Sequence, residues 1–417
     1  MMRDDVLIIG GGIIGVSAAY YLARAGVAVT IIEKGDIAAG SSYGNAGLLC
    51  PCHSTPIAAP GVLTQGLKWL LDAESPFYIK PRLDSDLIAW LWRFRSYCNQ
   101  SSFDTAVPLI RDLQRASLDL YRELIDQEKL VCNFEQHGGL ALYRTERGFE
   151  HGQHEAAHMN RFGLQMAVLD AAAARALEPA IHPDIIGAVR FEEDAHITPH
   201  LFVQGLARAA QAHGAAILTQ TEILGFDVED GLITAVNTTR GRKEVGQVVL
   251  AAGVWSTPIA RDLGIDLPMQ PAKGYSITVK RPRLSPRRYL YLGEARVAVT
   301  PMGEHLRFAG TLELAGFDFK INRRRVNAIL RAADAYLAEG SDREVVEIWR
   351  GMRPCSPDGL PYIGRARRCK NLVVGTGHAT LGMSMGPITG KLLAELVGEK
   401  RPSLPLHSFN IERFDSR

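Results

Sequence analysis

The sequence predicts an α/β protein in which a Rossmann-like parallel sheet is interleaved with a second, α+β part built on an antiparallel sheet. Three observations carry that expectation. The chain opens as strand, glycine loop, helix, strand. A strongly apolar strand, Val248 to Ala252, ends in Gly253 late in the chain, as a parallel sheet places a strand beside a dinucleotide. After it, Tyr275 to Lys280, Val297 to Thr300 and Leu306 to Gly310 read as strands of a second, more antiparallel sheet.

Taken in order, Val6 to Ile9 is the first strand, Ile14 to Ala25 a helix, and Val27 to Ile32 the strand that completes a βαβ unit. A stretch rich in Pro, Gly and Ser follows, from Gly40 to Gly61. Helical patterns run from about Leu63 to Leu71 and from about Pro108 to Leu130. Gly138 to Tyr143 reads as a strand, Thr145 to Gly163 as a helix opened by a Thr cap, and Ala171 to Leu177 as a short helix stopped before Pro179. A helix over His200 to His213 precedes strands near Ala216 to Leu218, Thr221 to Val228 and Leu232 to Thr239. Asn371 to Val374 and a helix over Pro387 to Val397 close the chain.

A chain of 417 residues is too long for one ordinary core, and two interleaved domains account for it. With 47% hydrophobic and 22% charged residues it has the composition of a globular enzyme, and a net charge of +2 makes no field that would recruit nucleic acid. Its expected partners are small molecules. Six sparse, irregularly spaced cysteines do not resemble a secreted disulfide framework, and no charged and apolar leader precedes the first strand, so a cytoplasmic setting is expected. No run reaches the ~18 apolar residues of a membrane-spanning helix. Leu87 to Trp92 with Arg93 and Arg95 offers either a peripheral contact on the inner face of the cell membrane or a buried helix face or partner contact.

Gly10-Gly11-Gly12-Ile13-Ile14-Gly15 fits G-x-G-x-x-G between a strand and a helix, and Glu33 stands at the end of the next strand. Glycines there let the backbone approach a pyrophosphate, the helix N-terminus adds donors and positive potential, and the carboxylate suits ribose hydroxyls. Gly375, Gly377, Gly382 and Gly386 crowd the loop before the last helix, where backbone donors could face an anionic ring edge. Cys50-Pro51-Cys52-His53 has no second Cys or His pair at a supporting spacing, so no metal is expected.

Beyond the glycine loop, Gly40-Ser41-Ser42-Tyr43-Gly44-Asn45-Ala46-Gly47-Leu48-Leu49 and Ala58-Ala59-Pro60-Gly61 resemble the second FAD-contacting region of the D-amino acid oxidase superfamily, most of all its bacterial D-amino acid dehydrogenases. Pro271-Ala272-Lys273-Gly274-Tyr275-Ser276, Trp349-Arg350-Gly351-Met352-Arg353-Pro354, Ser356-Pro357-Asp358-Gly359 and Asn371 through Gly382 resemble the same family, so the likeness spans nearly the whole chain.

The resemblance implies non-covalent FAD held by a discontinuous FAD-binding domain (1–80, 196–268 and 346–417), with a substrate-binding domain over 81–195 and 269–345. The cofactor set it implies is Gly10, Gly12, Ile13, Ile14, Gly15, Glu33, Lys34, Ser41, Ser42, Asn45, Ala46, Gly47, Leu48, Ala252, Gly253, Trp255, Gly377, His378, Thr380, Leu381 and Gly382. Arg353 is the expected clamp on a substrate carboxylate, because a planar guanidinium binds it bidentately. Tyr275 is a candidate second partner or a core tyrosine. His53 lines the pocket mouth or sits in a surface loop; a tyrosine is usual at this place in the resembled dehydrogenases. His378 either tunes the ring and proton flow or contributes only backbone. The implied reaction is oxidative deamination of a free D-amino acid, with hydride leaving Cα for flavin N5 and the imine hydrolysing to a 2-oxo acid and ammonia. Electrons would pass to a quinone or another acceptor that is not NAD. A D-proline or hydroxy-D-proline dehydrogenase, a sarcosine-type N-methyl amino acid oxidase, and a flavoprotein subunit of a larger electron-transfer complex with partner subunits remain open alternatives.

Overall fold

The computed structural model describes residues 5–63, 75–339 and 343–415. Val6–Ile9 is apolar and buried at every position, which suits the inside of a sheet covered on both faces. Val29–Ile32 and Gln247–Leu250 pair with it in parallel, one on each side. Ala216–Leu218 extends the sheet beyond the first, Leu372–Thr376 beyond the second, and Tyr362–Arg365 closes that edge antiparallel. Helix Ile13–Arg24 packs in one apolar cluster with helices Pro199–Ala212 and Gly386–Val397, covering one face of this six-stranded sheet.

The second sheet has nine strands among the described residues. Its spatial order is Val345–Cys355, Gln270–Lys280, His305–Leu314, Val297–Met302, Tyr289–Leu292, Gly139–Tyr143, Gly187–Phe191 and Met166–Asp170, with Phe77–Ile79 also beside His305–Leu314. Pairing is antiparallel except where Tyr289–Leu292 meets Gly139–Tyr143 and where Phe77–Ile79 meets His305–Leu314.

Strand alternation gives this sheet two unlike faces. Tyr275, Ile277, Phe308, Val299 and Leu290 lie on one and pack under helix Arg323–Tyr336 through Val326, Ile329 and Ala333. Their neighbours in register, Gly274 with Gly351, and Ala309 with Ala298, lie on the other. One face is a core and the other a floor of small residues. Strands Ile223–Glu229, Leu232–Thr238 and Gly241–Glu244 form a separate antiparallel sheet, not an extension of either. The Asn371 amide ties it to the parallel sheet by donating to the carbonyls of Ile233 (2.8 Å) and Gly246 (2.9 Å).

Several sequence expectations are corrected here. The helix expected from Pro108 spans Gln100–Gln127, capped by the Asn99 side chain on Ser102 N (3.0 Å). Pro108 sits inside it, at the cost of one helical hydrogen bond. A boundary before residue 346 cuts the strand Val345–Cys355, which is paired along its length with Gln270–Lys280. The helix expected over Leu63 to Leu71 lies, from residue 64 on, outside the described residues. The aromatic cluster around Trp90 is divided by helical periodicity within Ser85–Tyr97. Trp90 is buried, stacks on Phe94 and donates its indole N–H to the Cys355 carbonyl (2.9 Å), whereas Trp92 is 72% exposed beneath the Arg95 guanidinium. Among the described residues no helix is long and apolar enough to cross a membrane.

Candidate active site

The glycine loop shows why its spacing matters. Gly10 has φ +113°, and a Cβ there would stand 2.5 Å from the Ala251 carbonyl oxygen; a Cβ on Gly15 would stand 1.9 Å from that of Gly10. Gly12 is the N-cap of helix Ile13–Arg24 and has no side chain with which to cap it. Ile13 N donates to Ser42 Oγ (3.0 Å). Glu33 is fixed beside the loop, its two carboxylate oxygens accepting from Gly11 N (2.7 Å) and Gly35 N (2.8 Å).

The segment after the second strand is held from below by the other sheet. Arg307 is 3% exposed, and its Nη1 donates to the carbonyls of Tyr43 and Asn45, both at 3.0 Å. Burial lowers the Arg307 pKa, and the carbonyls around it replace water as partners. Ser41 Oγ donates to the Met352 carbonyl (2.5 Å), and Asn45 Oδ1 accepts from Gly47 N (2.8 Å). The Trp349 ring lies against Gly44, where a Cβ would come within 2.1 Å of it.

A cavity of about 870 Å³ joins these parts. It runs from Gly10, Gly12, Ile13, Ile14, Glu33 and Lys34, past Ser41, Ser42, Asn45, Ala46 and Leu48, along Ala252, Gly253 and Trp255 and His378 to Gly382, onto the small-residue floor of the nine-stranded sheet. Three glycines expected to contact a cofactor do not line it, and each has another reason to be glycine. Gly15 lets the helix pass the Gly10 carbonyl, Gly47 (φ +73°) lies against the Ile197 carbonyl, and Gly377 (φ +80°) lies against the Tyr362 ring.

Arg353 lies on the floor side of its strand, opposite Ala272, with its guanidinium over Gly274: a Cβ on that glycine would be 2.2 Å from Nη1. Nη1 donates to the Thr311 carbonyl (2.7 Å), and Thr311 is held at φ +67°, a costly conformation for a β-branched residue. Burial lowers the Arg353 pKa, and no carboxylate among the described residues forms an ion pair with it. A buried guanidinium with one carbonyl for company in an open cavity calls for an anion.

Tyr275 is among the residues lining the cavity, but its ring packs on the core side. Its ring belongs to the face that packs under helix Arg323–Tyr336, opposite to Arg353, and its phenol oxygen accepts from Asn322 N (3.3 Å). Lys273 shares that face, ion-paired to Glu313 (3.4 Å) and Asp318 (3.5 Å). His53 is not in a surface loop: it lines the cavity, packed edge-on against Phe191 and Tyr291, and its buried Nε2 has no hydrogen-bond partner among the described residues. Burial drops its pKa to about 4. The His378 ring is buried with Nε2 2.9 Å from Thr389 Oγ1, and burial lowers its pKa to about 3, so it is neutral and occupied.

Sequence reasoning missed Arg307, Trp349, Tyr291 and Arg296 at this site. Trp349 opens a recognised block and could have been added. The other three reach it only through strand register.

Residues 5–396 match the model of the family described as FAD dependent oxidoreductase (DAO). The D-amino acid dehydrogenase of Methylobacterium radiotolerans is 34% identical over 417 residues, covering 98% of this chain and 99% of the relative. That of Granulibacter bethesdensis is 32% identical over 415 residues, with 98% and 99% covered. Among solved structures, glycine oxidase from Bacillus cereus superposes with a TM-score of 0.77 at 25% identity over all of both chains. Glycine oxidase from Geobacillus kaustophilus superposes with a TM-score of 0.80 at 24% identity over 99% of each, which speaks to the fold alone. The glycine cradle, the Glu33 carboxylate beside it and the cavity reaching the second sheet fit a dinucleotide of this kind. The chain belongs to the DAO family of FAD-dependent oxidoreductases.

Proposed function

We propose that this protein is a D-amino acid dehydrogenase: it oxidises a free D-amino acid to an imine, which water hydrolyses to a 2-oxo acid and ammonia. Electrons then leave to a quinone or another acceptor that is not NAD. The single observation that carries the reading is Arg353, a buried guanidinium facing the cavity without a carboxylate partner. Relatives named D-amino acid dehydrogenase, matched end to end, favour the D series. In this reading FAD is non-covalent, would be held by the glycine loop, Glu33 and the residues lining the cavity from Ser41 to Leu48, and would supply two-electron acceptance when bound.

The chain's own residues would bind and orient. Arg353 clamps the substrate carboxylate and thereby fixes where Cα sits. Gly274 leaves room for that guanidinium, and Gly351 leaves room for the Trp349 ring on the same strand. Ile13, Ile14, Ala252 and Leu381 would give the cofactor apolar walls, and Gly10, Gly12, Thr380 and Gly382 line the same cavity. An uncharged amine entering the pocket needs no side-chain base.

A cytoplasmic setting with a contact on the inner face of the membrane goes with this reading; exposed Trp92 and Ile88 would make the contact. Sedimentation with anionic liposomes at low salt tests it. The function itself is tested by anaerobic flavin bleaching against D- and L-amino acids, D-proline and sarcosine. D-amino acids should bleach the flavin and release ammonia. Bleaching by sarcosine with formaldehyde release, or by L-amino acids alone, would overturn the reading.

A further inference from the structure

The cavity has a second polar end that the carboxylate clamp does not use. Following the floor across the sheet, the register runs from Trp349 through Ser276, Ala309 and Ala298 to Tyr291. Four ladder steps, roughly 19 Å, separate the strand of Arg353 from that of Tyr291. Arg353 stands four residues along its strand from Trp349, the position in register with Tyr291, and its guanidinium reaches back over the next strand at Gly274. At the far end Tyr291, Arg296 and His53 all line the cavity.

Arg296 follows a tight connection with φ +56°, and it is the cation that acts on His53. Tyr291 is its strongest partner, and Glu155 acts on it only through space. Beside it the His53 Nε2 is buried with nothing to bond. An unpaired buried ring nitrogen is destabilising and is retained most simply where a ligand completes it. Between the two guanidinium ends, Gly274, Ala309 and Ala298 line the cavity without a polar side chain, and Ser276 in the same row does not line it.

We infer that Arg296, with His53 and Tyr291, forms a specificity subsite for an oxygen acceptor on the substrate side chain. The preferred substrates are amino acids that present a carboxylate or hydroxyl away from the α-carboxylate held by Arg353. This rests on the D-amino acid reading of the site. An apolar side chain would leave Arg296 and His53 desolvated and unmatched, which is how a polar pocket rejects an analogue lacking its partner.

The test compares carbon-matched pairs on the FAD-loaded enzyme: D-glutamate with D-norvaline, and 4-hydroxy-D-proline with D-proline, which separates carboxylate from hydroxyl. In at least one pair the oxygen-bearing member should lead in kcat/KM by about tenfold or more. Arg296→Met should lower that member by about 10- to 100-fold and leave its partner within about threefold. Arg296→Lys, which keeps a charge, should retain part of the preference, and it serves where Met impairs folding. Binding gives a readout free of turnover: glutarate should perturb the flavin spectrum at lower concentration than butyrate, and Arg296→Met should erase the difference. Should no amino acid bleach the flavin while glutarate still binds through Arg296, the dehydrogenase reading fails and the subsite stands. Equal kcat/KM within both pairs, an equal loss for all substrates in the Arg296 variants, or glutarate no tighter than butyrate overturns it.

Discussion

The two ends of the cavity are made concave by opposite means. At the parallel sheet, Gly10 and Gly12 line the cavity without a side chain and Gly15 lets the helix close on the loop, so what is presented to a ligand is backbone and a helix N-terminus. At the antiparallel sheet, affinity comes from a charge placed where water is scarce: Arg353 rests on a floor of small residues with one carbonyl as partner. The first end cannot accept an added atom. The second cannot lose a charge. That difference predicts which substitutions separate cofactor loss from substrate loss.

The largest effect should come from Gly15→Val, because its Cβ would stand 1.9 Å from the Gly10 carbonyl oxygen, where only backbone could give way. Soluble yield and bound flavin should both collapse. Gly12→Val sharpens the point. Its Cβ meets only Ser42 Oγ, at 3.3 Å, so the protein should fold and yet lose FAD, read as the flavin-to-protein ratio beside a normal far-ultraviolet circular dichroism spectrum. A Gly12 variant that keeps full flavin would break the comparison at this end.

Arg353→Met should leave flavin content normal and lower kcat/KM for the best D-amino acid by about 30-fold to several thousandfold, the consequence of losing roughly 2–5 kcal/mol of charge-assisted binding. Arg353→Lys should fall between, since it keeps the charge and loses the fork. Amino acid amides should be poor substrates of the native enzyme and nearly indifferent to either change. An Arg353→Met enzyme within threefold of native would move the clamp elsewhere.

The same contrast explains what could be read from the chain before folding. Gly10 to Gly15 and Glu33 were legible because their chemistry is local: strand, turn, helix and acid fall in one short segment. Arg353 was legible only through the resemblance of its block, and its neighbour on the next strand shows the limit. Whether Tyr275 faces the cavity or the core depends on the register of Gln270–Lys280 against Val345–Cys355, and a shift of one residue would exchange the faces. Arg307, Tyr291 and Arg296 left no local trace, since each reaches the site by crossing strands distant in sequence. Pro108 misled for a physical reason: proline favours a first helical turn, and here a long helix with a good Asn99 cap absorbs it internally.

A smaller effect is expected on acid stability. Burial holds His53 at about 4 and His378 at about 3, against an ordinary 6.5. The unfolded chain therefore binds more protons than the folded one below about pH 6.5, and the stability these residues confer is complete above that pH and lost as pH falls toward 4. Asp194, raised to about 7 by burial, works in the opposite sense, with stability complete below its ordinary 3.8 and lost as pH rises toward 7. His53→Phe isolates one contribution, because phenylalanine suits the Phe191 and Tyr291 rings. Its melting temperature should decline less steeply than native between pH 6.5 and 4, a difference of at most about 3 kcal/mol. Parallel declines would mean that His53 titrates normally and is open to water.

The smallest effect is also the sharpest test of the two-faced sheet. If Tyr275 belongs to the core face, Tyr275→Phe removes the hydrogen bond its oxygen accepts from Asn322 N and its contact with Glu313, and leaves the ring packed under helix Arg323–Tyr336. The cost should be about 1 kcal/mol of stability, seen as a melting temperature lower by a few degrees at most. Catalysis should hardly notice, with kcat/KM within about threefold of native and KM unmoved, because Arg353 on the opposite face still holds the carboxylate. A phenol that bonds the substrate predicts the reverse: unchanged stability and a KM raised about tenfold, the loss expected for one neutral hydrogen bond to a charged group. The two outcomes cannot be produced by the same side chain, since a strand residue presents itself to one face of its sheet or to the other.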